Sequence, residues 1–176
     1  GLGDVYKRQK LDIETEIFVH GALCMSVSGQ CYMSSFIGQR SANRGLCAQT
    51  CRLPFSACGN KNRCGLSLKD LSLIEHIDEI KQTGVSSLKI EGRMKRPEYV
   101  AAAVTAYRNA IDGKDYDAET LKAVFSRNGF TDGYFTEKYT GMFGTRMKDD
   151  VLAAKEVLPS VRQLYKSERK ITYIYF

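Results

Sequence analysis

Residues 85–112, VSSLKIEGRMKRPEYVAAAVTAYRNAID, set a short apolar run in front of a longer amphipathic one. Val85 to Ile90 reads as a buried strand ended by Glu91-Gly92. Pro97 suits the first turn of a helix, where its missing N–H is no loss. Val100, Val104, Tyr107 and Ile111 then recur on one face as far as about Asp112, with Gly113 as the stop. Upstream, Leu71, Ile74, Ile77 and Ile80 recur at helical spacing and predict a helix over Lys69–Thr83, with Gly84 at its C-cap. Earlier still, Ile13 to His20 reads as another buried strand, bounded by Gly21. Strand, helix, strand, helix at this pitch predicts an α/β fold on a parallel sheet, because parallel neighbours need a helical crossover.

Between the first strand and the first helix no periodicity lasts two turns. Instead, this Gly-, Ser- and Asn-rich loop carries Cys24, Cys31, Cys47 and Cys51, at successive steps of 7, 16 and 4 positions. Those steps are not the paired C-x-x-C knuckles that hold zinc. Thiolates converging from a flexible loop suit an iron–sulfur cluster, which takes an all-cysteine ligand set. A hairpin is expected from Leu53–Phe55 to Gly65–Leu68 with its tip at Gly59–Asn62. Cys58 and Cys64 flank it, either as further ligands or as two ordinary thiols.

Charge sharpens this reading. From Ile17 to Lys69 the chain has no Asp or Glu, yet it holds Arg40, Arg44, Arg52, Lys61, Arg63 and Lys69. Such a segment supplies no carboxylate base and suits an anion, since guanidinium groups grip phosphate or carboxylate in bidentate fashion. The plainer alternative makes these residues surface groups or counter-charges to the thiolates. His20 ends its strand, and strand ends are where α/β folds bind ligands. A lone histidine is also often a satisfied structural group. Lys89, Glu91 and Arg93 close the second strand, with Glu91 either orienting Arg93, accepting a proton or forming a structural ion pair. Lys95 and Arg96 open the following helix, where cations are unfavourable unless an anion sits beside them. His76 reads as a surface residue.

Downstream, a helix is expected from about Ala118 to Arg127, then a turn at Asp132-Gly133 and a glycine-rich loop at Gly141–Gly144. A last helix, Met147 to Tyr165, is expected to break at Pro159. At 176 residues and 43% apolar content the chain suffices for a core, and its charge is +6. No apolar run approaches a membrane span and no signal segment opens the chain, so a cytoplasmic protein with reduced thiols is expected. Asp4 to Gln9, DVYKRQ, reads as a sequencing-library end, so residues 1–9 are expected to be an adapter artefact. Ile171 to Phe176 reads as a strand at its beginning, and the chain as an internal fragment.

Several of these motifs also carry a family resemblance. Glu16-Ile-Phe18, Gly21-Ala-Leu-Cys24, Gly29-Gln-Cys31-Tyr-Met-Ser34, Arg40-Ser-Ala-Asn43-Arg44-Gly45, Cys47-Ala-Gln-Thr-Cys51-Arg52 and Lys89-Ile-Glu91-Gly92-Arg93-Met-Lys95 run in order along the chain. Together they resemble the collagenase-like peptidase family numbered thirty-two among peptidases of unknown catalytic type. The resemblance implies that residues 10–113 are the last βα units of a (βα)8 TIM-type barrel carrying a Cys-rich loop at 21–64. Residues 114–176 would then lead into an accessory domain. It also implies a 4Fe–4S cluster on Cys24, Cys31, Cys47 and Cys51, in an oxygen-independent hydroxylase of tRNA, ribosomal RNA or quinone precursors. Prephenate is the hydroxyl donor it suggests. Arg40, Asn43, Arg44, Lys89 and Lys95 become substrate contacts, and His20, Glu91 and Arg93 catalytic candidates. One departure touches the ligand set: many relatives place a cluster cysteine after an Asp-Leu pair, and here Asp70-Leu71 is followed by Ser72. The fourth ligand is then Cys51, Cys64, Cys58 or none.

Two other functions compete. Proteolysis is what the family name suggests, but H-E-x-x-H and G-x-S-x-G are absent and the chain has only 2 histidines, which leaves a His20–Cys24 pair. A structural metal module within an RNA-binding protein is the third.

Overall fold

The computed structural model describes residues 13–27, 30–57, 59–93 and 95–166. Its main sheet has four strands, β1 (Glu16–Ala22), β4 (Asp70–Ser72), β5 (Ser87–Ile90) and β6 (Phe130–Thr131), in the order β5-β1-β4-β6. β1 runs parallel to β5 and antiparallel to β4, and β4 runs parallel to β6. This is a mixed α/β sheet rather than an all-parallel one. Among the described residues it is open, with no closure into a barrel.

The strand β4 replaces the first half of the helix predicted over Lys69–Thr83. His20 faces Ser72 and Ala22 faces Asp70 across the β1–β4 ladder, while Asp70 and Leu71 also pair with β6. Backbone pairing on both edges overrides the local i, i+3 pattern. Only from Ile74 does the chain coil, first as a 3-10 turn (Ile74–His76) and then as α2 (Ile77–Gln82). The predicted turn at Asp132-Gly133 likewise gives way, because β6 pairs in parallel and leads directly into a short helix, Gly133–Thr136. Gly133 is required there: a Cβ would stand 2.6 Å from the Lys138 carbonyl oxygen.

Three longer helices are named here α3 (Pro97–Ile111), which packs on the sheet, α4 (Ala118–Val124) and, counting Gly133–Thr136 as α5, α6 (Lys148–Val161), which packs on α3 and α4. Pro159 lies within α6 instead of breaking it, since the helix ends two residues later and only one carbonyl, that of exposed Lys155, loses its partner. α3 buries Tyr99, Ala102, Ala103, Ala106 and Tyr107, whereas Val100 and Val104 of the expected face are exposed. Small side chains let α3 approach the sheet closely. Tyr107 then pins it, its hydroxyl donating to the Val19 carbonyl at 2.7 Å and accepting from the Leu73 amide at 3.0 Å. The core around these contacts joins Val19, Leu71, Leu73, Ile74, Ile77, Ile80, Ala103 and Leu121.

The hairpin forms with tighter strands than expected, β2 (Phe55–Ala57) against β3 (Asn60–Arg63). Residues 65–68 stay outside it, and Leu68 bridges to Phe143 instead. Cys58 and the runs 1–9 and 171–176 lie outside the described residues. His76 is not a plain surface group: it is half-buried, bonds Asp132 Oδ2 at 2.9 Å and stacks on Phe135. No helix among the described residues is long and apolar enough to cross a membrane.

Candidate metal centre

The loop after β1 is ordered by a few buried groups. A short helix, α1 (Met33–Gly38), and two 3-10 turns, Ala42–Arg44 and Thr50–Arg52, pack together. Ser34 is buried at the junction, its hydroxyl accepting from the Ala48 amide at 3.1 Å and its carbonyl from the Arg40 amide at 3.1 Å. Gln39 and Gln49 adopt left-handed backbone, φ 52° and 55°, a conformation that non-glycine residues hold only where surroundings enforce it.

Within this loop Cys24 and Cys47 lie near enough to Cys51 to act on its thiol. Cys51 lies on the second 3-10 turn, where burial pushes its thiol up; Arg52 works against that, and the Cys24 and Cys47 thiols nearby reinforce it. Cys47 Sγ accepts a hydrogen bond from the Gln49 amide at 3.3 Å. Cys31, half-buried just before α1, and Cys64, half-buried after β3, are not among the groups acting on Cys51. All five described cysteines are free thiols. Among the described residues no three His, Cys, Asp or Glu side chains converge on one metal ion.

Arg52 ties the loop to the sheet. Its guanidinium donates to the Leu68 carbonyl at 2.6 Å and to the Leu23 carbonyl, so it serves the fold as well as the charge of the loop. Arg40, Asn43 and Arg44 sit on the exposed stretch from the end of α1 through the first 3-10 turn. Tyr32 and Phe36, beside α1's start and within it, are 67% and 94% exposed.

At the strand ends, Gly21 lets two segments meet. Its φ is +140° and an added Cβ would stand 2.6 Å from the Glu91 Cβ. The Glu91 amide donates to the His20 carbonyl at 2.8 Å, and Glu91 Oε1 accepts from the Arg93 amide at 2.6 Å. Arg93 then reaches the loop, its guanidinium donating to the Gly45 carbonyl. Glu91 and Arg93 are thereby brought to the cysteine loop. Lys89 is elsewhere, on an exposed part of the sheet, paired with Glu16 at 3.0 Å and lying over the Phe18 ring.

His20 is not at an open strand mouth, because β1 continues to Ala22. It is 0% exposed, boxed by the rings of Tyr99, Tyr107 and Phe130 at centroid distances of 5.2–5.5 Å. Neither ring nitrogen has a hydrogen-bond partner among the described residues, and burial pushes its pKa down to about 4 against the pull of Asp70. Lys95 sits near this box. Its ammonium meets Asp70 Oδ2 at 3.0 Å and lies over the Phe125 ring at 3.2 Å, and burial lowers its pKa to about 8.

Asp70 was missed as a site residue. Fully buried, it is held by Lys95 on one oxygen and by Arg127 on the other. A signal existed: Asp70 is the first acid after the acid-free stretch.

A cysteine-bearing basic loop seated on the strand ends of a mixed sheet, with an ion triad beneath it, defines an α/β protein. The chain belongs to peptidase family U32, whose family model matches residues 4–142. It is 40% identical over 145 residues to a collagenase of Porphyromonas gingivalis, covering 73% of this chain and 40% of that one. To the tRNA hydroxylation protein P1 of Bacillus subtilis (strain 168) it is 40% identical over 126 residues, 65% of this chain and 30% of that one. To a 23S rRNA 5-hydroxycytidine synthase of Escherichia coli (strain K12) it is 42% identical over 110 residues, 59% and 17% of the two chains. The chain thus spans well under half the length of each of these relatives. No solved structure matches it.

Proposed function

We propose that this chain is the cluster-bearing part of an oxygen-independent, iron–sulfur-dependent hydroxylase of tRNA or rRNA bases, completed in the whole protein as a (βα)8 barrel. The observation that carries the reading is the neighbourhood shared by Cys24, Cys47 and Cys51 within a loop of six basic residues and no acid. The relatives named for tRNA and rRNA hydroxylation support it.

The residues present fit a polynuclear thiolate cluster better than a single ion. Each thiolate in such a cluster binds its own iron, so the sulfurs need not converge on one point, and the Gln49 amide already donates to Cys47 Sγ while Arg52 stands beside Cys51. Cys24, Cys31, Cys47 and Cys51 would hold a 4Fe–4S cluster, which supplies one-electron chemistry when bound. Arg40, Asn43 and Arg44 take RNA phosphate or the carboxylates of a small anionic donor of the prephenate kind. Tyr32 and Phe36 offer exposed rings on which unpaired bases stack. Glu91 orients the Arg93 backbone, and Arg93 holds loop and strand together beside the substrate.

Proteolysis is the second reading, favoured by the relative named a collagenase. A His20–Cys24 dyad does not serve it, because His20 is sealed behind three aromatic rings. Mass spectrometry of RNA from cells with and without the gene tests the choice. A base heavier by one oxygen only when the gene is present supports hydroxylation. Unchanged RNA together with metal-dependent cleavage of gelatin by the purified protein overturns it.

A further inference from the structure

A second basic site lies apart from the cysteine loop. Between the N-terminus of α3, the end of α4 and the first turns of α6 there is a cleft of about 370 Å³. Lys95, Arg96, Arg146 and Lys155 line it around Tyr99 and Phe125, and no carboxylate is in the lining. The acids that act on Lys95 and Arg146 are Asp70 and Asp150, and each makes other bonds as well. Asp70 holds Lys95 and Arg127, and Asp150 accepts from the Met147 amide at 2.8 Å and the Asn128 amide at 3.3 Å.

Asp150 still answers part of the Arg146 charge, yet the five cations Lys95, Arg96, Arg127, Arg146 and Lys155 face only Asp70 and Asp150 as acids shown to act on them. Three cations crowd the Phe125 ring, Lys95 at 3.2 Å, Arg146 at 4.4 Å and Arg127 at 4.9 Å from its centroid. Such bunching of like charges in a half-buried place is unfavourable unless an anion compensates it. Two buried polar atoms of the lining lack a partner among the described residues, the Tyr99 hydroxyl and Arg146 Nε, and Tyr99 is 2% exposed. The 15-residue α3 adds its positive end, with no side-chain cap at Arg96 and with the first-turn acid Glu98 paired to Arg162.

We propose that this cleft binds a phosphate group. A phosphate offers three acceptor oxygens and a charge that answers several cations at once, whereas a lone carboxylate offers two oxygens and one charge. The cleft is larger than phosphate alone and leaves room for an attached sugar. The phosphate comes from an RNA backbone or from a free phosphate ester. Only the first source rests on the hydroxylase reading. It would place the strand across Arg93 at the cysteine loop and into the cleft at Arg96, three residues on, a step of at most about 11 Å.

The test uses the full-length protein with Arg96→Gln, Lys155→Gln and the pair combined. Both side chains are exposed, so folding is retained, and thermal melting checks this. Binding of a labelled RNA stem-loop is read by fluorescence anisotropy between 50 and 200 mM salt, and of uridine monophosphate and inorganic phosphate by calorimetry. The double variant is expected to weaken phosphate binding about tenfold. If RNA is the source, it also lowers the slope of log affinity against log salt by about 0.7–0.9 for each phosphate lost. Phosphate binding lost with RNA binding intact assigns the cleft to a free ester. If wild-type protein binds phosphate but no RNA, the cleft stands and the RNA reading falls. Unchanged affinity for both ligands in the folded double variant overturns the proposal, and Arg44→Ala then reports separately on RNA at the cysteine loop.

Discussion

The Arg93 guanidinium donates to the backbone carbonyl of Gly45, 48 positions earlier, and so fastens the cysteine-bearing loop to the segment that follows β5. The same guanidinium stands 3.6 Å from where a Gly45 side chain would begin. Arg93→Ala is expected to release the loop while leaving the sheet intact. Hydrogen exchange at residues 45–49 should rise several-fold with β1 and β5 unchanged. Equal exchange in both proteins would show that the contact anchors nothing.

Gly21 and Glu91 form the second junction. A methyl group at Gly21 would have to displace the Glu91 Cβ and backbone, at a φ that disfavours any side chain. Gly21→Ala is expected to cost about 2 kcal/mol or more. Urea unfolding measures it, and a midpoint equal to wild type would refute the close packing.

Asp70 binds Lys95 and Arg127 with no exposure to water. Removing its charge leaves two cations buried and unanswered, so Asp70→Asn should destabilise by about 3–5 kcal/mol. Pairing it with Lys95→Met should recover part of the loss. A mild single variant, or a double no better than the single, would mean that water reaches the triad.

These junctions explain what could be read from the sequence. That β1, β5 and α3 exist was legible in local apolar patterns bounded by glycine or proline, but burial was not: β5 alternates exposed and half-buried residues, and Val100 and Val104 of the expected α3 face are exposed. The acid-free basic stretch around the cysteines was legible too. β4 was not, because Leu71 keeps step with Ile74 and Ile77 while its backbone is claimed by strands on either side. His20 was misplaced for a related reason: nothing in the sequence shows that β1 runs on to Ala22 or that aromatic rings from α3 and β6 close over it. The Asp70 triad joins residues 25 and 57 positions away, beyond any local pattern.

His20 also sets a pH dependence. Its pKa falls from the ordinary 6.5 to about 4 in the fold, so between these values the unfolded chain takes up a proton that the folded chain refuses. Stability is complete above pH 6.5 and is lost as pH drops toward 4, by about 3 kcal/mol from this group. His20→Phe should flatten that part of the curve. An unchanged acid limb in the variant would locate the proton elsewhere.

The cluster ligands give the final prediction. Ser72, where the resemblance places a cysteine in many relatives, has its hydroxyl 3.4 Å from that of Tyr107, within the contact network that pins α3 to the sheet. A replacement ligand must come from the loop itself. Cys51 feels both Cys24 and Cys47, whereas Cys64 follows β3 and is not among the groups acting on Cys51. Full-length protein reconstituted without oxygen is therefore expected to absorb near about 400 nm, as thiolate-bound iron–sulfur centres do. Cys24→Ser, Cys47→Ser and Cys51→Ser should each abolish most of that absorbance and the bound iron, and Cys64→Ser should retain both. Loss on Cys64→Ser with retention on Cys51→Ser would move the fourth ligand to the hairpin. Colourless wild-type protein holding one zinc would remove the cluster and the hydroxylase reading with it.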